Sequence, residues 1–241
     1  MTPAVQKRLY AYLFNSIKVF FMRKRIVSAR LPEGTPTIFI ANHQGSYGPV
    51  TAMASLPQPV YPWVTHEITD LALCPKYIEN DFVKPEVHLR PPVSSLLSRL
   101  IGRICVALMT DLHAIPVYKN SRRIAETIAM SVRLLEQGKR ILIFPEIPNR
   151  IINEIVNEFD TGFINIARLF FERTARIVSF FPVAVNRGRM ALHLGAPVRF
   201  NPLAPFRQEK VRIKRELVER ICEMYREMEG QEKPTEVAPV S

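Results

Sequence analysis

The chain has 241 residues, 47% hydrophobic and 23% charged, and its 33 lysines and arginines against 22 acidic residues leave a formal net charge of +11. That length and apolar fraction suit one sizeable α/β domain or two small ones and exclude wholesale disorder. Three scattered cysteines (Cys74, Cys105, Cys222) without CxxC pairing exclude a disulfide framework and a structural zinc site, and point to a reducing, cytosolic side.

The excess charge calls for an anionic partner, nucleic acid or an anionic membrane surface. Its location separates the two. Residues 1–30 hold Lys7, Arg8, Lys18, Arg23, Lys24, Arg25 and Arg30 and no acid, so the other 211 residues carry only +4. On a 3.6-residue helix Val5, Leu9, Leu13, Phe20 and Val27 fall on one side, and Lys7, Arg8, Lys18 and Arg25 on the other. This pattern predicts an amphipathic membrane-association helix over 1–29, apolar face in the acyl boundary and cations toward lipid phosphates. The competing reading is a first helix packed on the core with a solvated basic back. No run of 18 apolar residues occurs, so no spanning segment is expected, and no small-residue cleavage site marks a signal peptide.

A turn-rich stretch, Leu31 to Pro36, precedes a buried strand over Thr37–Ala41. Prolines 57, 59 and 62, and then 85, 91 and 92, mark loops. Residues 94–109 have helical periodicity. Leu96, Leu97, Leu100, Ile101, Ile104, Cys105 and Leu108 form one stripe, opposed by Ser98, Arg99, Gly102 and Arg103. The stripe is expected to face the core, with an acyl groove or a membrane surface as the alternatives. Ala114–Tyr118 reads as a strand, Arg122–Gln137 as a helix closed by Gly138, and Arg140–Phe144 as a strand. A helix over 160–174 and strands over 177–185 and 190–194 follow. Residues 206–229 form a charged helix with Ile213, Leu217, Ile221, Met224 and Met228 as its apolar line, and 230–241 a flexible tail. Alternating strands and helices predict an α/β fold, a central mixed sheet flanked by helices, over 30–205.

Four strand ends carry chemistry. The first delivers Asn42 and His43, a general base at the place where open α/β sheets hold ligands. The second runs into Lys119 and Arg122, cations suited to a phosphate-bearing substrate. The third is Phe144-Pro145-Glu146, followed by Arg150, and the fourth Pro182-Val183-Ala184. His66, His88, His113 and His193 lack metal-ligand spacing, so no metal site is expected.

In order and spacing these blocks resemble the glycerolipid acyltransferase superfamily, typified by 1-acyl-sn-glycerol-3-phosphate acyltransferases. That family has Asn-His-x4-Asp, a basic Ile-Pro-x-x-Arg-x-x-Arg strand, Phe-Pro-Glu-Gly-Thr-Arg, and a Val-Pro-Val-Ala-like strand. Phe159-x-x-Gly162 and Ala167 resemble the segment after the third motif. The resemblance implies that His43 takes the proton of a glycerol hydroxyl as it attacks the thioester of acyl-CoA or acyl carrier protein. Asn42 stands beside the base, while Lys119, Arg122, Glu146 and Arg150 belong to the acceptor site. It implies no metal or redox cofactor, the acyl thioester being a co-substrate. The partners it implies are a lysophospholipid-like acceptor, the thioester donor and a membrane lipid surface. Location follows as peripheral, on the cytoplasmic face. Nucleic acid is not a partner, since the body carries only +4 and shows no aromatic-basic RNA signature.

Two positions depart from the family. Gly48 stands where it has Asp, and Ile147-Pro148-Asn149 replaces Gly-Thr-Arg, displacing Arg150 by one. The Asp orients the imidazole, as the carboxylate does in hydrolase triads. Three readings stay open: another carboxylate (Glu146, Asp111 or Glu67) at His43, a backbone carbonyl as orienter, or a non-catalytic lipid-binding paralogue of the same fold.

Overall fold

A computed structural model of the chain describes residues 24–27, 34–45, 47–57, 59–80, 83, 91–119 and 121–230. In chain order the elements are β1 (Lys24–Val27), β2 (Thr37–Ala41), α1 (Tyr47–Ser55), β3 (Val60–Thr65), a 3-10 turn (His66–Thr69), α2 (Cys74–Ile78) and α3 (Val93–Asp111). There follow β4 (Ile115–Val117), α4 (Ile124–Glu136), β5 (Arg140–Ile143), β6 (Glu146–Ile151) and β7 (Asn157–Phe159). A second 3-10 turn (Gly162–Ile164) leads to α5 (Asn165–Thr174), β8 (Ser179–Asn186), β9 (Ala191–Leu194), β10 (Val198–Arg199) and α6 (Phe206–Glu229). The fold is α/β with a mixed sheet flanked by helices, as expected. The chain divides into two compact units, 1–57 with 143–241, and 58–142.

In the first unit β2 runs parallel to β8, from Thr37 opposite Ser179 to Ala41 opposite Val183. β9 lies antiparallel on the later half of β8, and β10 on its first two residues. β1 continues the sheet, parallel to β9. Every residue of β2 and β8 is buried, which is why both read as unbroken apolar runs rather than alternating ones. Phe39 meets Phe181 and Phe163 meets Phe180, at ring-centroid distances of 6.1 and 5.5 Å. α6 covers β8, β9 and β10 with buried Ile213, Leu217, Ile221 and Met224, each worth about 1.5–3 kcal/mol of apolar burial. It ends where Gly230 takes the left-handed conformation, φ 77°.

Lys24–Val27, included in the expected 1–29 helix, is a strand. Its pairing with β9 overrides the helical periodicity of the basic segment. Residues 1–23, 28, 29 and 231–241 lie outside the described residues, and with them the rest of that helix and nearly all of the expected tail.

The strands of the second unit pair in parallel. β3 pairs with β5 from Val60 to Pro62, and with β4 from Trp63 to Thr65. The proline cluster 57–62 was expected to be loop throughout. The strand runs through Pro62 because its ladder with β4 starts only at the next residue. α3 spans nearly the expected residues but with its faces reversed. Ser94, Ser98, Gly102 and Val106 are buried, while Leu96, Leu100 and Ile104 are 72%, 59% and 55% exposed. Small residues allow the close approach to α2. A Cβ on Gly102 would already lie 3.2 Å from Pro75.

Candidate active site

β2 ends at Ala41 opposite Val183 while β8 runs on to Asn186, and the residue after β2 continues the ladder with its side chain. Asn42, fully buried, donates from Nδ2 to the Val185 carbonyl at 3.0 Å and accepts the Val185 N–H on Oδ1 at 2.7 Å. Its amide is spent on β8. Both polar atoms of the Asn42 side chain, expected beside the base, thus engage the backbone of β8.

His43 follows, exposed at the strand's carboxyl end. Its backbone N–H donates to Glu146 Oε1 at 2.8 Å, and its ring meets that of Phe144 edge-on at 5.3 Å. The first and third sequence blocks are thus brought together. Glu146, the first residue of β6, takes the Asn157 N–H on its other oxygen at 3.2 Å. Burial pushes the Glu146 carboxyl above the ordinary carboxylate range, and the amides of His43 and Asn157 offset this only in part. Of the proposed replacements for the motif aspartate, Glu146 holds the main chain of His43.

The motif position itself has no space for a carboxylate. A Cβ on Gly48 would lie 2.0 Å from the carbonyl oxygen of His43 and 2.9 Å from that of Asn42. Gln44 and Gly45 both take positive φ, 43° and 61°, so the chain folds back tightly before α1 begins. Glycine at 48 is therefore part of a closed turn, rather than a side chain lost from an unchanged backbone.

Gly-Thr-Arg is replaced by a bulge. β6 and β7 pair at Glu146 with Phe159 and again at Ile151 with Asn157, so five steps on one strand oppose two on the other. Asn149 takes φ 63° within it. Arg150, expected at the acceptor site, pairs across this hairpin with Glu158 at 3.4 Å, which Lys214 also meets at 3.0 Å. After the hairpin, Asp160 Oδ1 accepts the Gly162 N–H at 2.7 Å, shaping the turn into α5, where Ala167 is fully buried.

Lys119 and Arg122 belong to the second unit, where both are exposed. β3 and β4 are parallel neighbours, so His66 and Glu67 emerge beside Tyr118 and Lys119. The His66 and Tyr118 rings lie 5.1 Å apart, and Arg123 stacks over Tyr118 at 3.7 Å. Burial alone would raise the Glu67 carboxyl, but the Thr65 hydroxyl, with His66 and Lys119, brings it below its ordinary value. The second block is thus a mixed rim, with one carboxylate among its cations. Sequence reasoning noted of His66 only that it lacks metal-ligand spacing and missed this rim, because recognising β3 as the neighbour of β4 required a strand through Pro62. Phe144 was quoted only as part of its motif, and no periodicity signals an aromatic edge set against a loop histidine. Among the described residues no group of three or more His, Cys, Asp or Glu is gathered to hold a metal ion.

An acyltransferase family model matches residues 82–186. That stretch contains the second, third and fourth blocks and begins beyond Asn42 and His43. No curated protein matches the chain. Among solved structures it is similar to the crystal structure of PlsC, the 1-acyl-sn-glycerophosphate acyltransferase of Thermotoga maritima. The two are 15% identical, with a TM-score of 0.52 over 95% of this chain and 85% of that one. At that identity the likeness concerns the fold, and the family model adds the motif-bearing sequence. The chain thus carries an acyltransferase-family match over residues 82–186 on a fold similar to that of PlsC.

Proposed function

We propose that the protein transfers a fatty acyl chain from an acyl thioester, on CoA or a carrier protein, to a hydroxyl of a lysophospholipid-type glycerol phosphate. The observation that carries this reading is His43 itself. It stands exposed at the end of a parallel strand, its main chain held by half-buried Glu146 and by the Asn42–Val185 pairing. The neutral ring takes the acceptor's hydroxyl proton as the oxygen attacks the thioester carbonyl. The C–S bond breaks, the thiolate takes the proton back from the imidazolium, and an ester and a free thiol remain. This chemistry needs no metal or redox cofactor. Lys119 and Arg122 are the cations proposed for the acceptor phosphate, and Arg150, engaged with Glu158, is secondary. The protein is proposed to work peripherally, on the cytoplasmic face of a membrane. All three cysteines being free agrees with that side.

Acyl transfer by purified wild type and by His43→Ala tests the mechanism. A loss of about 10³-fold or more in turnover is expected, and equal turnover in both overturns it.

One observation favours a second reading, a lipid-binding protein without turnover: the turn at Gly48 has no space for an orienting carboxylate. Tight lysolipid binding by wild type with no transfer from either CoA or carrier-protein donors selects that reading, and turnover removes it.

A further inference from the structure

α3 is built inside out for a water-facing helix. Its buried line is Ser94, Ser98, Gly102 and Val106, packed toward α2, while Val93, Leu96, Leu100 and Ile104 lie on the opposite side, each more than half exposed. Spacings of three and four put these four side chains on one stripe, about half a turn around the helix from the buried line. A soluble helix places its polar side outward, and contiguous exposed apolar surface of this kind marks an interaction site. Leu71 and Leu73, just before α2, add two more exposed apolar side chains, 60% and 42% exposed.

The charge at this surface identifies the partner. Arg99 and Arg103 flank the stripe on one side, and α3 has no acid before Asp111, its last residue. Beside it opens a groove of about 540 Å³ whose walls include Lys76, Arg99, Arg103 and Leu71. Glu79, on the same groove, accepts the hydroxyls of Ser94 and Ser95 at 2.9 and 3.0 Å. An apolar stripe bordered by cations over a groove is the chemistry of an anionic phospholipid bilayer, acyl boundary against the leucines and phosphates against the arginines. A protein partner matched to the leucines alone would leave the cations unanswered.

α3 is the one helix among the described residues long and apolar enough to cross a bilayer by length and composition. It is nevertheless seated on α2 along its buried line, and β4 follows within four residues to pair with β3. A helix held in that way lies along the interface.

We propose that α3 is the bilayer-docking face of the 58–142 unit, with Val93, Leu96, Leu100 and Ile104 in the headgroup–acyl boundary and Arg99, Arg103 and Lys76 on lipid phosphates. This rests on the reading of the protein as an enzyme of bilayer lipids and names the surface by which it reaches them.

The test is vesicle flotation of the full-length protein, with phosphatidylcholine alone and with phosphatidylglycerol added. The triple variant Leu96→Ser, Leu100→Ser, Ile104→Ser is expected to lose about tenfold or more in partitioning to both vesicle types. The pair Arg99→Glu, Arg103→Glu is expected to lose as much on phosphatidylglycerol vesicles, with little change on phosphatidylcholine. Flotation of the triple variant at the wild-type level overturns the proposal. A melting temperature of the lipid-free triple variant several degrees below wild type overturns it too, since the stripe would then be packed on this chain's own residues. A wild-type dimer that the triple variant turns into a monomer, with flotation unchanged, assigns the stripe to a second copy and equally overturns it. His43→Ala is expected to float like wild type, so that failure of docking and failure of acyl transfer are read separately.

Discussion

His43 and Glu146, 103 positions apart, are joined by a 2.8 Å hydrogen bond from the backbone N–H of the first to the carboxylate of the second. The carboxylate of one sequence block thus fixes the main chain that carries the proposed base of another. Its two oxygens serve two backbone donors, at His43 and Asn157.

Glu146→Ala removes both acceptors from a partly buried place and is expected to cost about 1–3 kcal/mol in stability. It is also expected to lower kcat about tenfold or more, with KM nearly unchanged, because the base is displaced while acceptor binding is left alone. Glu146→Gln keeps one acceptor oxygen and turns an amide NH2 toward the other N–H, so it should fall between the two. Urea unfolding with steady-state transfer checks this. An alanine variant that turns over like wild type would show the contact to be idle.

The same carboxyl sets a pH dependence. Burial raises it above the usual range, so the acid limb of kcat is expected to begin above about pH 4.3, where an ordinary glutamate titrates. A raised folded-state value means the folded protein binds the proton more readily than the unfolded chain does. The stability contributed by Glu146 is therefore fully present below the unfolded value and is lost as pH rises through the folded one. Profiles of wild type and Glu146→Gln, taken side by side, should differ by this limb. An unchanged limb in the glutamine variant assigns it to another group.

Gly48→Asp separates the sequence argument from the structural one. By motif, the substitution restores an aspartate and should raise activity. By geometry, its Cβ falls 2.0 Å from the His43 carbonyl oxygen, so the turn must open and carry the base with it. Lower activity and a lower melting temperature are expected for both Gly48→Asp and Gly48→Ala, with a stability loss of about 3 kcal/mol or more. A gain of turnover in the aspartate variant would refute the closed turn.

Asn42→Ala leaves the N–H and C=O of Val185 without their partner inside a fully buried sheet end. A loss of about 2–4 kcal/mol is expected from two such groups. A melt within about 0.5 kcal/mol of wild type would contradict the ladder role.

The strands β2, β5 and β8 and the helices α4 and α6 are legible in sequence because each is an apolar or periodic segment whose local pattern agrees with its final environment. β3 is hidden by Pro62, and β1 by the helical period of its basic surroundings. In both cases strand pairing far along the chain overrides a local signal. α3 shows a different limit. Periodicity locates its two faces and is silent on which faces water, and here serines and glycine lie inside. At the site, His43 and Glu146 stand out by motif. That Glu146 reaches a backbone amide instead of the ring, that Asn42 belongs to the ladder, and that Gly48 closes a turn are properties of three-dimensional backbone approach, which residue order alone does not carry.

The parallel pairing of β2 with β8 has a consequence for synthesis. Asn42 and Val185 are 143 residues apart, and the whole 58–142 unit emerges between them. At about 5–20 residues per second, β2 waits about 7–30 s on the ribosome for its neighbour. Throughout that interval the sequence Thr37-Ile-Phe-Ile-Ala41, wholly buried once folded, has no β8 to lie against. The inserted unit is one continuous segment, 58–142, made in full before β8. The strand that leads into His43 therefore stays without its β8 partner until late in synthesis, an apolar run open to aggregation in the meantime.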